Sequence, residues 1–113
     1  MGRRAQPEVR DNPDRSQFEF LVDGRRVGYM RYRRLPDGIE LIHTEILPQH
    51  EGKGYGSALI AAALARAREE RLAVIPHCPF VREYIERHPE ALDLVPTDRR
   101  GEFGLPGRVA PDL

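Results

Sequence analysis

Residues 39–64 read IELIHTEILPQHEGKGYGSALIAAAL, and this stretch decides the fold. Its first part, Ile39 to Leu47, has the alternation of a strand, and Pro48 ends it. Three glycines within five residues then precede a segment in which apolar residues recur every three or four positions. The stretch therefore predicts a strand, a tight loop and a helix in immediate succession.

Two more strands are predicted before this stretch. The first contains the alternating residues from Phe18 to Val22, and the second runs from Arg26 to Arg34. Asp23-Gly24 is a hairpin signal between them. Leu35-Pro36-Asp37-Gly38 is a second turn, because Pro presets its backbone angle and Gly accepts a positive φ. Three strands joined by tight turns form an antiparallel meander.

The segment after the loop predicts a crossover. A helix is predicted from near Gly54 to near Arg71, and the apolar run from Leu72 to Ile75 predicts a buried strand. A strand, a helix and a strand in this order pair in parallel. Pro79 suits the first position of a second helix, which His88-Pro89 ends. The predicted fold class is α/β: an antiparallel meander, a strand–helix–strand crossover and a C-terminal helix.

Composition limits the class of protein. Residues 17–96 are predicted to form one compact domain, whereas residues 1–16 and 97–113 show no apolar period and are predicted to be flexible tails. Lys and Arg number 18, as do Asp and Glu, and the formal net charge of zero argues against nucleic acid or an anionic membrane as partner. No apolar run approaches the roughly 20 residues that span a bilayer. The single cysteine permits no internal disulfide, and we expect a cytoplasmic monomer.

The glycine-rich loop from Pro48 to Ser57 is the first candidate site. Glycines at a helix start let backbone N–H groups converge on one point, where the helix also carries a partial positive charge. This arrangement predicts an anion site, most often for phosphate, with a simple tight turn as the alternative. The positions of Lys53 and the glycines match neither a Walker A loop nor a dinucleotide fingerprint. They match Gln49-x-x-Gly52-x-Gly54.

This spacing resembles the coenzyme A loop of the GNAT acyltransferase superfamily and, more narrowly, of its compact YjdJ-like branch. The resemblance extends over residues 17–96 and is carried by His43-Thr44-Glu45, the loop, Pro76-His77-Cys78-Pro79-Phe80, Tyr84 and His88-Pro89-Glu90. It implies an N-acetyltransferase that moves an acetyl group from acetyl-CoA to a small-molecule or peptide amine, without a metal. It also implies that coenzyme A is bound by Ile46, Leu47, Gln49, Gly52, Lys53, Gly54, Tyr55 and Gly56.

The resemblance also has one departure. Larger relatives carry a pair of helices between their first two strands, and here the turn at Asp23-Gly24 takes their place. Since that region covers the acceptor site in larger relatives, we expect the acceptor side of this protein to be open.

His43 and Glu45 are the candidates for deprotonating the amine. A period of two places them on one face with Ile39 and Leu41, and two polar groups among apolar neighbours are unexpected in a pure core. A half-buried carboxyl group can take a proton near neutrality. The alternative is that both are solvent-facing sheet residues.

Cys78 and Tyr84 complete the predicted catalytic set. Cys78 precedes Pro79 and is expected at the N-cap of the last helix, where a thiolate is favoured. The resemblance places it near the acyl group, either as a transient acceptor of the acetyl group or as pocket lining; most lone cysteines are small buried hydrophobes. By the same resemblance, Tyr84 protonates the departing sulfur of coenzyme A. Its spacing also fits the apolar stripe of its helix.

Two other functions are open at this stage. A non-catalytic acyl-CoA-binding module would need the loop but none of the four catalytic side chains. A partner-binding domain would instead use the tails and the arginine pairs.

Overall fold

The computed structural model of the protein describes residues 7–107. Within this range the strands are β1 (Pro7–Asn12), β2 (Gln17–Val22), β3 (Arg25–Leu35), β4 (Gly38–Ile46) and β5 (Ala73–Pro76). The α-helices are α1 (Tyr55–Glu69) and α2 (Pro79–Arg87). Short 3-10 segments cover Pro13–Arg15, Pro48–His50, Pro89–Leu94 and Thr97–Phe103.

The five strands form one sheet in the order β1-β2-β3-β4-β5. The first four pair antiparallel, and β5 pairs parallel with β4 after the α1 crossover. The meander, the parallel crossover and the second helix are therefore confirmed. Asp23 and Gly24 both have positive φ, 52° and 80°, as a type I′ hairpin turn requires.

The core lies between the sheet and the helices. The side of α1 that packs on the sheet is the apolar stripe predicted from the sequence, and its buried residues are Leu59, Ile60, Ala63, Leu64 and Ala67. They join buried side chains of the central strands, among them Phe18, Met30 and Leu41, in one cluster. The opposite face of β2, β3 and β4 carries mainly polar side chains.

The prediction of an N-terminal tail is wrong for residues 7–15, which form β1 and the 3-10 segment after it. The sequence of β1, PEVRDN, gives no apolar alternation because it is an edge strand without a buried residue. Side chains hold it in place: Asp11 accepts hydrogen bonds from Tyr32 at 2.6 Å and from Arg34 at 3.2 Å. With β1 counted, the first two strands are joined by residues 13–16 and not by Asp23-Gly24.

The prediction of a C-terminal tail is wrong for residues 97–107. Phe103 and Leu105 are 8 % and 5 % exposed and belong to the core. Arg100 is buried with them, and it donates hydrogen bonds to the carbonyl oxygens of Val95 and Gly107. Two isolated apolar side chains in a glycine-rich segment make no period, which is why the sequence pattern missed them. Residues 1–6 and 108–113, the outer parts of both predicted tails, lie outside the described residues.

The face assigned to His43 and Glu45 is also wrong. Arg31 pairs with His43 and Tyr32 pairs with Leu41, so that Ile42 is an extra residue in β4. Such a β-bulge reverses the alternation of side chains beyond it. As a result Thr44 is buried, whereas the side chains of His43 and Glu45 are 55 % and 54 % exposed.

Candidate active site

The loop between β4 and α1 has the backbone conformation that the predicted anion site requires, and the start of α1 is called the anion site below. Gly52 and Gly54 both have φ of 80°, and Gly54 is the N-cap of α1. A Cβ atom at either position would meet no other atom within 4 Å, so glycine is required there by conformation and not by crowding. The N–H groups of the first helical turn have no intrahelical partners, and the helix dipole adds positive potential.

A gap in the sheet opens beside this loop. β5 follows β4 only as far as the Leu41–Pro76 pair, and the N–H of Cys78 then bonds the carbonyl of Leu41 at 2.9 Å. Beyond Leu41, β4 has no strand on this side within residues 7–107. The N–H of Leu47 donates a hydrogen bond to the carbonyl oxygen of Val27 on β3. Because every second residue of an antiparallel strand bonds the same neighbour, the backbone N–H and C=O groups of Thr44 and Ile46 point away from β3 and into the gap.

The loop and the gap share one cavity of about 520 Å³. It is lined by residues 43–46 of β4, by residues 50–52 and 54–57 of the loop and helix start, and by Ile60. The lining is completed by a stripe of α2, formed by Phe80, Glu83, Tyr84 and Arg87, and by His88 directly after it. Eight of the predicted site residues line it: His43, Glu45, Ile46, Gly52, Gly54, Tyr55, Gly56 and Tyr84. The cavity therefore connects the anion site with the polar groups of β4.

Four predicted residues are not part of the cavity lining: Leu47, Gln49, Lys53 and Cys78. Leu47 and Gln49 are exposed beside the loop. The side chain of Lys53 is exposed too, with its Nζ 6.0 Å from the centre of the Tyr55 ring. From this position Lys53 remains close to the anion site.

Glu45 has two polar neighbours on the open face of the sheet. Tyr29 lies opposite it on β3 and donates a hydrogen bond from its hydroxyl to Glu45 Oε2 at 3.2 Å. His43 Nε2 is 3.8 Å from Glu45 Oε1. The carboxylate is thus held in place and accessible to solvent, and Glu45 is one of the residues that line the cavity.

Tyr29 was missed by the sequence analysis. Counting residue by residue from the Pro36-Asp37 turn pairs Tyr29 with Thr44, and only the bulge at Ile42 brings it opposite Glu45. No signal in the sequence marks that bulge.

Cys78 is the N-cap of α2, as predicted, but its thiol is buried. The residue is 1 % exposed, and its Sγ lies 3.4 Å from Thr44 Oγ1. Thr44, in contrast, lines the cavity. The thiol therefore lies behind Thr44 and supports the strand that carries Glu45.

His77, next to Cys78, points elsewhere. Its Nε2 is 2.7 Å from Glu40 Oε2, and this hydrogen bond, together with the charge of Arg33, holds the pKa of Glu40 below its ordinary value. His77 is thus engaged at the other end of β4.

Tyr84 contacts both the core and the cavity, the two positions that the sequence left open for it. It is half-buried against the core, and its ring stacks on His88 with centroids 4.1 Å apart. It also lines the cavity. The stacking fixes the ring and leaves it beside the gap.

His50 is a second residue that the sequence analysis did not select. It lines the cavity, and its Nδ1 is buried without a hydrogen-bond partner among the described residues. Buried polar atoms are normally paired. The histidine thus has a buried ring nitrogen without a partner in residues 7–107, and its place inside the predicted loop was the available signal.

Residues 7–107 contain no group of three or more His, Cys, Asp or Glu side chains placed to hold a metal ion. In the same range, the helices are too short or too polar to cross a membrane.

Comparison with known proteins agrees with this fold. The family described as GCN5-related N-acetyl-transferase matches residues 17–94. A similar solved structure is the ribosomal-protein-alanine N-acetyltransferase from Brucella melitensis biovar Abortus 2308, at 27 % identity and a TM-score of 0.51. The match covers 58 % of this chain and 52 % of that one, so the chain corresponds to about half of the other enzyme's length. No curated protein matches the chain.

The family match extends over most of the chain. The chain belongs to the GCN5-related N-acetyltransferase family. The resemblance to the GNAT superfamily is confirmed.

Proposed function

We propose that this protein transfers an acetyl group from acetyl-CoA to an amine, with Glu45 as the general base. The observation that carries the proposal is the cavity, which is lined both by the glycine loop at the start of α1 and by Glu45 on β4. A binding site for the donor and a group that can take the proton of the acceptor are thereby adjacent.

The residues around the cavity fit coenzyme A. The N–H groups of the first turn of α1 suit a pyrophosphate, and the glycines before it leave room for close approach. The unpaired edge of β4 at Thr44 and Ile46 suits the amide groups of the pantetheine arm, since peptide-like chains pair with open strand edges.

Proton movement is assigned to three side chains. Acetyl-CoA supplies an acetyl group activated as a thioester. Glu45, held by the Tyr29 hydroxyl, takes the proton of the amine either directly or through the neighbouring His43. Tyr84 donates its hydroxyl proton to the departing thiolate. Cys78 has no part in the transfer, because its thiol is buried behind Thr44.

The acceptor is proposed only as a class. The similar structure is named for a ribosomal-protein alanine as its acceptor, which makes the amino terminus of a protein one candidate here. The compact YjdJ-like branch, which the motifs resemble, remains the proposed subgroup.

The proposal is tested by Glu45→Gln in an assay that detects the released thiol of coenzyme A. We expect kcat to fall about 100-fold, the usual contribution of a general base, while the dissociation constant for acetyl-CoA in calorimetry stays within about twofold. Glu69→Gln, an exposed glutamate near the end of α1, is the matched control. Absence of acetyl-CoA binding by the unaltered protein, or an undiminished kcat in Glu45→Gln, would contradict the proposal.

A further inference from the structure

We propose that the acceptor is an amine that also carries an anionic group, a carboxylate or a phosphate, and that Arg31 binds this group. The inference rests on the proposed function, because it assumes that the amine is bound at Glu45. It adds the substrate class and a specificity-determining residue.

Arg31 lies in the same surface as the proposed base. On the open face of the sheet, Arg31 is directly opposite His43, and Tyr29 is directly opposite Glu45. These four side chains form two neighbouring cross-strand pairs beside the cavity. An acceptor that reaches Glu45 from the open side therefore passes close to Arg31.

Arg31 has no carboxylate partner among the described residues, in contrast to Arg26 and Arg33 on the same strand. Arg26 lies 3.3 Å from Glu19, and Arg33 lies 2.6 Å from Glu40. Arg31, although exposed, forms no ion pair within residues 7–107; its guanidinium is 5.9 Å from the centre of the Tyr29 ring. A planar guanidinium placed over an aromatic ring keeps its N–H groups available for a carboxylate or phosphate.

Tyr29 connects the two charges. Its ring lies beneath the guanidinium, and its hydroxyl binds Glu45. The Tyr29–Glu45 and Arg31–His43 pairs are neighbours on one face of the sheet, and such pairs are roughly 7 Å apart. This is about the length of an amino acid plus one charge-assisted hydrogen bond at each end. The carboxylate of Glu45 and the guanidinium of Arg31 thus suit an ammonium group and an anion within one ligand.

Matched acceptor pairs test the inference. The first pair consists of small molecules: β-alanine carries a carboxylate, and β-alaninamide does not. The second pair consists of peptides: Ala-Glu-Ala-amide carries a carboxylate, and Ala-Gln-Ala-amide does not. We expect the unaltered protein to favour the anionic member of at least one pair by tenfold or more in kcat/KM. In calorimetry with coenzyme A present, the anionic member of the same pair is also expected to bind more tightly. The pair that shows the preference tells whether the acceptor is a small molecule or a peptide.

Arg31→Gln is expected to reduce that preference to less than about twofold. Arg33→Gln is the matched control, since Arg33 is exposed on the same strand but already paired with Glu40, and it should keep the preference. Equal use of both members by the unaltered protein, or an unchanged preference in Arg31→Gln, would overturn the inference. Binding with the expected preference but without thiol release would count against the proposed function alone, whereas acetylation without preference would count against Arg31 alone.

Discussion

Cys78 has the sequence context of a nucleophile and the surroundings of a core residue. Its position at the N-cap of α2 was predictable from Pro79, because proline favours the first turn of a helix. Its burial was not, because burial depends on how β4 runs past the start of α2. The 3.4 Å contact with Thr44 makes the thiol a support for the strand that carries Glu45.

We therefore expect no covalent acetyl group on Cys78. The protein would be incubated with acetyl-CoA without an acceptor, quenched in acid and examined by intact mass and peptide mapping. A thiol that is 1 % exposed should also react slowly with iodoacetamide in the native protein and rapidly after unfolding. An acetylated peptide containing Cys78 would place the thiol on the transfer path and contradict our assignment.

At the scale of elements, Glu19 holds the N-terminal side of the sheet together. Its carboxylate accepts hydrogen bonds from Asn12 on β1, Gln17 on β2 and Arg26 on β3. Burial raises the pKa of Glu19, but these hydrogen bonds and the charge of Arg26 outweigh it and hold the pKa below the ordinary value of 4.5. The ionised form is thus the one that the folded state favours.

Stability should therefore depend on pH through Glu19. Because its pKa is lower in the folded than in the unfolded state, its contribution is complete above about pH 4.5 and is lost as the pH falls through the folded value. Glu19→Gln should lower the free energy of unfolding by about 1 kcal/mol at pH 7. The difference from the unaltered protein should shrink as the pH falls below about 4.5 in urea titrations, and a difference that stays constant with pH would contradict the assignment.

The elements also separate what the sequence could predict from what it could not. The meander turns, α1 and the crossover follow from local patterns, namely Asp23-Gly24, the apolar stripe of α1 and the short run before Pro76. β1 could not be found in this way, because its stability comes from backbone pairing and from contacts of Asp11 with residues more than 20 positions away. In the candidate site, the glycine loop was predictable, whereas the exposure of Glu45 and its bond to Tyr29 depend on a bulge without a sequence signal.

At the scale of the whole molecule, the C-terminal segment completes the core. Phe103 is 8 % exposed, and its ring meets the His77 ring edge-on, with centroids 5.5 Å apart. Residues 97–107 therefore belong to the folding unit, and the domain extends past the predicted end at residue 96.

Two phenylalanine substitutions make this measurable. Phe103→Ala should lower the free energy of unfolding by about 3 kcal/mol, since it removes a buried aromatic ring. Phe80→Ala is the matched control, because Phe80 is 60 % exposed, and it should change stability by less than about 0.5 kcal/mol. Equal effects of the two changes in denaturant titrations would show that the C-terminal segment does not stabilise the fold.

Ile42 determines which side chains of β4 face the core and which face the open side of the sheet. Before it, the odd-numbered side chains Ile39 and Leu41 are buried; after it, even-numbered Thr44 is buried and odd-numbered Glu45 is exposed. Deletion of Ile42 would turn the side chains of His43 and Glu45 toward α1 and would expose the hydroxyl group of Thr44. An active face on this strand can thus be gained or lost through the insertion or deletion of a single codon, a step that no series of substitutions reproduces.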